Sequence, residues 1–145
     1  MSQPTSPRAV FERLIRGISE GRWDDLADLY AEDAVVDQPL ASTAPSRIEG
    51  RETIRAHFAG AAGMGLRMVA HDIVVHETSD PEVIVAEFDY DVTGSGGTVT
   101  AANIQVLRVR DGLITATRDY HDHLAIARAT GGVPALVAVL SGDPA

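Results

Sequence analysis

Residues Val83 to His121 read VIVAEFDYDVTGSGGTVTAANIQVLRVRDGLITATRDYH, and the period of this stretch decides the fold. Apolar and polar residues alternate through Val83–Thr93, Thr98–Arg110 and Leu113–His121, which is the two-residue repeat of strands. Gly94-Ser95-Gly96-Gly97 and Asp111-Gly112 separate the three runs and carry hairpin-turn composition. Leu66–Thr78 has the same alternation and ends at Ser79-Asp80-Pro81. Four consecutive strands joined by short turns predict an antiparallel meander.

Upstream the period becomes helical. Phe11, Leu14, Ile15 and Ile18 form an i, i+3, i+4, i+7 stripe, closed by Gly21. A shorter face runs from Trp23 through Leu26, Ala27, Leu29 and Tyr30, predicting a second helix, and Ala34-Val35-Val36 a brief strand stopped by Pro39. Leu40–Gly50 is a loop by composition. A third helix starts near Gly50-Arg51-Glu52, with Ile54, Phe58, Ala61 and Ala62 on its apolar side. Downstream, Leu124–Thr130 and Pro134–Leu140 read as short helices interrupted by Gly131-Gly132. The order predicts a single α+β domain over 1–145, in which three leading helices cover a cone-shaped, curved antiparallel sheet. Residues 1–7 are expected to be a disordered leader and 124–145 a helical extension. The open mouth of such a cone is where a pocket forms.

Composition narrows the function. The 145 residues are 45% hydrophobic and 23% charged, an ordinary globular composition. Twelve basic against twenty-one acidic residues give −9, and no basic stripe forms, so nucleic acid is not an expected partner. No apolar run approaches the roughly 20 residues that span a bilayer. The N-terminus shows no apolar h-region, and there are no cysteines for disulfides or thiolate metal sites, so a cytoplasmic location is expected. Gly94–Gly97 joins strands and opens no helix, so it is no phosphate cradle.

Three stretches carry a resemblance: Gly21-Arg22-Trp23-Asp24 between two helices, Ala31-Glu32-Asp33-Ala34 entering a strand, and Asp111-Gly112-Leu113-Ile114 before Arg118-Asp119-Tyr120. In this order they resemble the nuclear transport factor 2-like superfamily, and within it the SnoaL-like group with its polyketide cyclases and limonene-epoxide hydrolases. The resemblance covers roughly residues 8–125 and implies the cone fold, a cofactor-free site and dimerisation. The epoxide hydrolases' Trp-Arg-Asp-Tyr aligns with Thr117-Arg118-Asp119-Tyr120, which implies that Asp119 points into the pocket with Thr117 and His121 in phase. Their arginine and second aspartate align with Phe88 and Tyr90, or, one residue out of register, with Glu87 and Asp89; neither register supplies an arginine. The base, tyrosine and protonated aspartic acid of the ketosteroid isomerases align with Gln38, Leu14 and Gln105, none of which transfers a proton, so that mechanism is disfavoured.

The expected site therefore has Asp119 as general acid or base and His121 as its partner. Ligand contacts are expected from Tyr30, Gln38, Phe88, Tyr90, Asn103 and Gln105 by alignment and phase. His57 and Phe58 join them from the inner side of the third helix. The His121-Asp122-His123 run lacks a third ligand, so no metal is expected; Asp122 and His123 are read as the cap of the following helix. Trp23 is read as a structural plug, and His71 and His76 as lying on opposite faces of their strand without partners. The expected partner is a small apolar, polyketide- or terpenoid-like oxygenated molecule. A second copy of the chain is expected on the outer sheet face at Ile104, Val106, Arg108, Arg118 and Tyr120. The expected activity is a cyclase-type acid/base reaction; the alternatives are a non-catalytic binding protein and an epoxide hydrolase with a degenerate site.

Overall fold

The computed structural model describes residues 4–142. Helix α1 (Pro7–Ser19) opens with proline in its first turn, and the Ser6 hydroxyl accepts from the Ala9 amide at 3.2 Å. This N-cap satisfies one of the free amides that every helix start leaves. The disordered stretch expected over 1–7 therefore does not reach Pro7, and residues 1–3 lie outside the described residues. Val10, Phe11, Leu14, Ile15 and Ile18 are buried, as the stripe requires.

Two expectations upstream of the meander need correction. The second helix is a 3₁₀ segment, Trp23–Leu29, and Tyr30 already belongs to a strand. Strand pairing wins over helix propensity there, because Tyr30 is in register with Ile114. Strand β1 (Tyr30–Gln38) is longer than the apolar triplet that signalled it. The loop expected at Leu40–Gly50 contains a short edge strand, β2 (Ser46–Glu49), paired antiparallel to β1 and pinned by Arg47 to Asp37 at 2.9 Å. Helix α2 (Arg51–Gly63) follows with Ile54 fully buried.

The meander is β3 (Arg67–Glu77), β4 (Val83–Gly94), β5 (Gly97–Arg110) and β6 (Leu113–His121). All six strands form one curved, unclosed sheet in the order β2-β1-β6-β5-β4-β3, antiparallel except for the parallel β1–β6 pair. Positive φ at both Asp111 and Gly112 gives the tight turn whose twist matches its flanking strands. On β4 the buried residues are Ile84, Ala86, Phe88, Tyr90 and Val92, which settles the register with Phe88 and Tyr90 inward and Glu87 and Asp89 outward. Phe88 packs on Phe11 of α1 with ring centroids 5.7 Å apart, joining helix to sheet.

His71 and His76 also differ from expectation. The β3–β4 register shifts between His71 and Val74, where Asp72 adopts φ 55°. That bulge adds one residue, and an odd spacing then returns the two histidines to one face. Each has a partner: His71 Nε2 lies 2.9 Å from Asp91 and His76 Nε2 2.6 Å from Glu87.

Two helices end the described chain, α3 (His123–Thr130) and α4 (Val133–Leu140). The β4–β5 hairpin tip docks on the end of α3, with the Gly96 amide donating to Ala129 O at 2.8 Å and the Ser95 hydroxyl to Thr130 O at 3.0 Å. No helix among the described residues is long and apolar enough to cross a membrane.

This contact generates a stability prediction. A Cβ on Gly94 would lie 2.7 Å from Ala129 O, against rigid backbone. Gly94→Ala is expected to destabilise the fold by about 1–3 kcal/mol through overpacking, a drop of roughly 3–10 °C in Tm. Gly60→Ala, in α2 with nothing within 4 Å, is the control and should be neutral or stabilising. Calorimetry reads both, and an unchanged Gly94→Ala melting point would refute the tight docking of α3.

Candidate functional site

The concave face of the sheet is not completely filled. Between it, α2 and α3 lies a cavity of about 510 Å³, within the range of small-molecule sites. One wall is apolar, with Leu14, Ile18, Ile54, Leu66 and Met68. Phe58 stands at the centre of an aromatic group, 6.2 Å from Trp23 and 6.1 Å from both Tyr30 and His57 by ring centroid. Trp23, expected as a plug, thus lines the cavity as well.

The opposite wall is polar and comes mainly from β5 and β6. Gln105 and Asp119 are direct cross-strand neighbours, as are Asn103 and His121. Asp119 is 8% exposed and Gln105 6%. The Gln105 Nε2 donates to Asp119 Oδ1 at 2.8 Å, while Asp119 Oδ2 lies 3.7 Å from His121 Nε2. Arg118 points to the other face, so among the described residues no arginine pairs with this carboxylate. His121 Nδ1 is 2.6 Å from Asn103 Oδ1, and Asn103 Nδ2 donates to Ala101 O at 2.9 Å.

Of the residues singled out from sequence, Tyr30, Gln38, His57, Phe58, Tyr90, Gln105, Asp119 and His121 all border this one cavity. Phe88 and Asn103 do not. Phe88 belongs to the core under α1, and Asn103 stands behind His121 and holds its ring. His123 was read as part of a cap. Asp122 is the cap of α3, accepting from the Ala125 amide at 3.0 Å, while His123 borders the cavity with its ring 5.7 Å from that of His121. The signal for His123 was the HxH spacing, but chain direction changes between the two residues and sequence phase does not carry across that bend.

Electrostatics follow burial. Desolvation, reinforced by the Asp119 charge, raises the Tyr30 phenol well above its ordinary value and raises Tyr90 likewise. Both therefore keep their protons. Partial desolvation of the His57 ring lowers its pKa, with Asp119 opposing the effect and His121 adding to it. His123 is lowered first by burial and then by His121. A buried carboxylate, three imidazoles and two protonated phenols around an apolar space can bind a polar group of a ligand and move a proton there.

The SnoaL-like domain model matches residues 11–117, and the chain belongs to that family. An uncharacterised PhzA/B-like protein of Pseudomonas aeruginosa is 35% identical over 138 residues, covering 93% of this chain and 97% of that one. Among solved structures, a candidate isomerase from Bacillus subtilis is 25% identical, with TM-score 0.80 over 91% of this chain and 97% of its own. A candidate polyketide cyclase from Xanthomonas campestris is 21% identical, with TM-score 0.72 over 89% of this chain and all of its own. The last shows a shared fold only, since one cone carries many chemistries.

The histidine environments give a pH prediction. Burial disfavours the charged ring, so His57 and His123 should titrate below the ordinary 6.5. In Asp119→Asn the His57 midpoint should fall further, because the charge that opposes the lowering is gone. Histidine NMR titration reads both midpoints; a value at or above 6.5, or a rise in the variant, contradicts this account of the site.

Proposed function

We propose that the protein is a cofactor-free acid/base catalyst acting on a small, mostly apolar, oxygenated molecule of polyketide or terpenoid type. Asp119 is the proton carrier and His121 its partner. The observation that carries the reading is a buried carboxylate facing a cavity, held by a neutral amide and free of any arginine ion pair among the described residues. A carboxylate locked by arginine would be a poor proton carrier, because the cation holds it in its charged form.

The chain contains neither lysine nor cysteine, so imine and thiolate chemistry are not available to it. Removing a proton beside a carbonyl and returning it elsewhere needs only a positioned acid/base pair and a neutral donor for the developing oxyanion. Tyr30 and Tyr90 supply such hydroxyls. Cyclisation of aldol type fits this inventory, with the cavity holding a flexible chain in reactive shape. Opening an epoxide fits less well, since no arginine borders the cavity among the described residues.

A second reading, a ligand-binding or accessory protein without catalysis, draws support from Gln38 and Gln105, neutral amides among the polar groups of the pocket. Solvent exchange at an enolisable ketone separates the two. In deuterated buffer, 2-tetralone should exchange its α-protons faster with the protein than without it. Asp119→Asn should cut that enhancement by roughly 10²–10⁴-fold, the usual contribution of a general base. Equal exchange by both proteins, with the fold intact by circular dichroism, leaves the binding reading.

We also propose pairing with a second copy through the outer sheet face. Ile104 is 42% exposed there, with Val106 and Tyr120 beside it. Light scattering at micromolar concentration should give twice the chain mass, and Ile104→Glu should halve it. A single-chain mass for the unaltered protein ends this proposal.

A further inference from the structure

We propose that the polar wall of the cavity is a receptor for a hydrogen-bond donor, so that the ligand is an uncharged molecule bearing a hydroxyl (an alcohol, a phenol or an enol) and not a carboxylate or phosphate. The inference rests on the cavity being the functional site and concerns what the site recognises.

Asn103 stands behind the cavity, opposite His121. Its Nδ2 is 2.9 Å from Ala101 O, a backbone carbonyl that can only accept. Turning the amide over would set two oxygens against each other, so the orientation is fixed. The atom 2.6 Å from His121 Nδ1 is therefore Oδ1, which also can only accept. Nδ1 must carry a proton, and in its neutral form the ring presents a lone pair at Nε2 toward Asp119. Asn103, expected to touch the ligand, is instead a positioning residue that selects the His121 tautomer.

The next inward rung of the ladder pairs Gln105 with Asp119. Gln105 spends an Nε2 hydrogen on Asp119 Oδ1 at 2.8 Å, and its Oε1 is buried without a partner. Asp119 Oδ2 and His121 Nε2 stand 3.7 Å apart, beyond a hydrogen bond. Oδ2 and Nε2 thus face the cavity with no donor between them, while Oε1 is closed off behind them. Buried acceptors call for a donor, and a ligand hydroxyl provides one.

The chain has no lysine and no arginine borders the cavity among the described residues, so an anion would meet Asp119 without a counter-charge. An ammonium ion would satisfy the acceptors but has no lone pair to accept from the tyrosine hydroxyls that border the same cavity. A hydroxyl both donates and accepts, and the Tyr30 and Tyr90 hydroxyls, which have no hydrogen-bond partner of their own among the described residues, can donate to its oxygen.

Four biphenyls test this by isothermal calorimetry at pH 7.5: 4-phenylphenol, 4-methoxybiphenyl, biphenyl-4-carboxylate and 4-phenylbenzylamine. The phenol should bind at least about tenfold tighter than each of the others, the size of effect expected when buried polar groups lose their partner. The His121 ¹⁵N shifts of the unliganded protein should show a protonated Nδ1 and a free Nε2. In Asn103→Leu both tautomers should appear and the preference for the phenol over its methyl ether should shrink. Equal affinity for phenol and ether, tighter binding of the carboxylate or the amine, no binding by any of the four, or an Nε2-protonated ring in the unaltered protein would each overturn the proposal. None of these compounds is turned over. Donor selectivity without ketone exchange therefore ends only the catalytic reading, and exchange without selectivity ends only this one.

Discussion

The register between β5 and β6 is the constraint from which the polar wall follows. The Asp111-Gly112 turn starts the ladder with Arg110 opposite Leu113 and Val109 opposite Ile114. One position further the register shifts, Arg108 faces Ala116, and Thr115 is left without a counterpart. This bulge changes which face each later residue occupies: Ile114 is buried, and beyond it Thr117, Asp119 and His121 turn inward. Strand side chains alternate, so without the extra residue Arg118 and Tyr120 would face the cavity and Asp119 the outside.

Once the register is set, the chemistry is assembled in pairs. Asn103 sits opposite His121 and Gln105 opposite Asp119, so each ionisable group is held by a neutral amide from the neighbouring strand. In a low-dielectric setting a buried polar group without a hydrogen-bond partner is costly, and these rungs supply one. Helices complete what the sheet begins. α2 brings His57 and Phe58 across the opening, and α3, anchored by the hairpin tip at Ser95-Gly96, brings His123.

Core and site share the same concave surface, and the division between them depends on depth. Phe88 and Tyr90 are neighbours on one face of β4, with ring centroids 5.1 Å apart. Phe88 meets Phe11 of α1 and is core, whereas Tyr90 borders the cavity that Leu14 and Ile18 of the same helix help to wall. A side chain's inward direction therefore does not make it a ligand contact; what covers it does.

The α+β class, the meander, the turn at Asp111-Gly112 and the buried stripe of α1 were legible from the sequence, because each is a local periodicity or a local turn preference. Asp119 and His121 were legible as a pair because they lie two apart on one strand. Other features depended on tertiary structure. The bulge at Asp72 that puts His71 and His76 on one face has no local pattern that marks it. The strand Ser46–Glu49 forms because β1 offers it a free edge. The turn from β6 into α3 decides that His123 joins the site, and the rung opposite His121 decides that Asn103 positions a ring instead of touching a ligand. Periodicity is encoded within a few residues, whereas pairing, covering and convergence are set by segments distant in the chain, and only the folded structure brings those together.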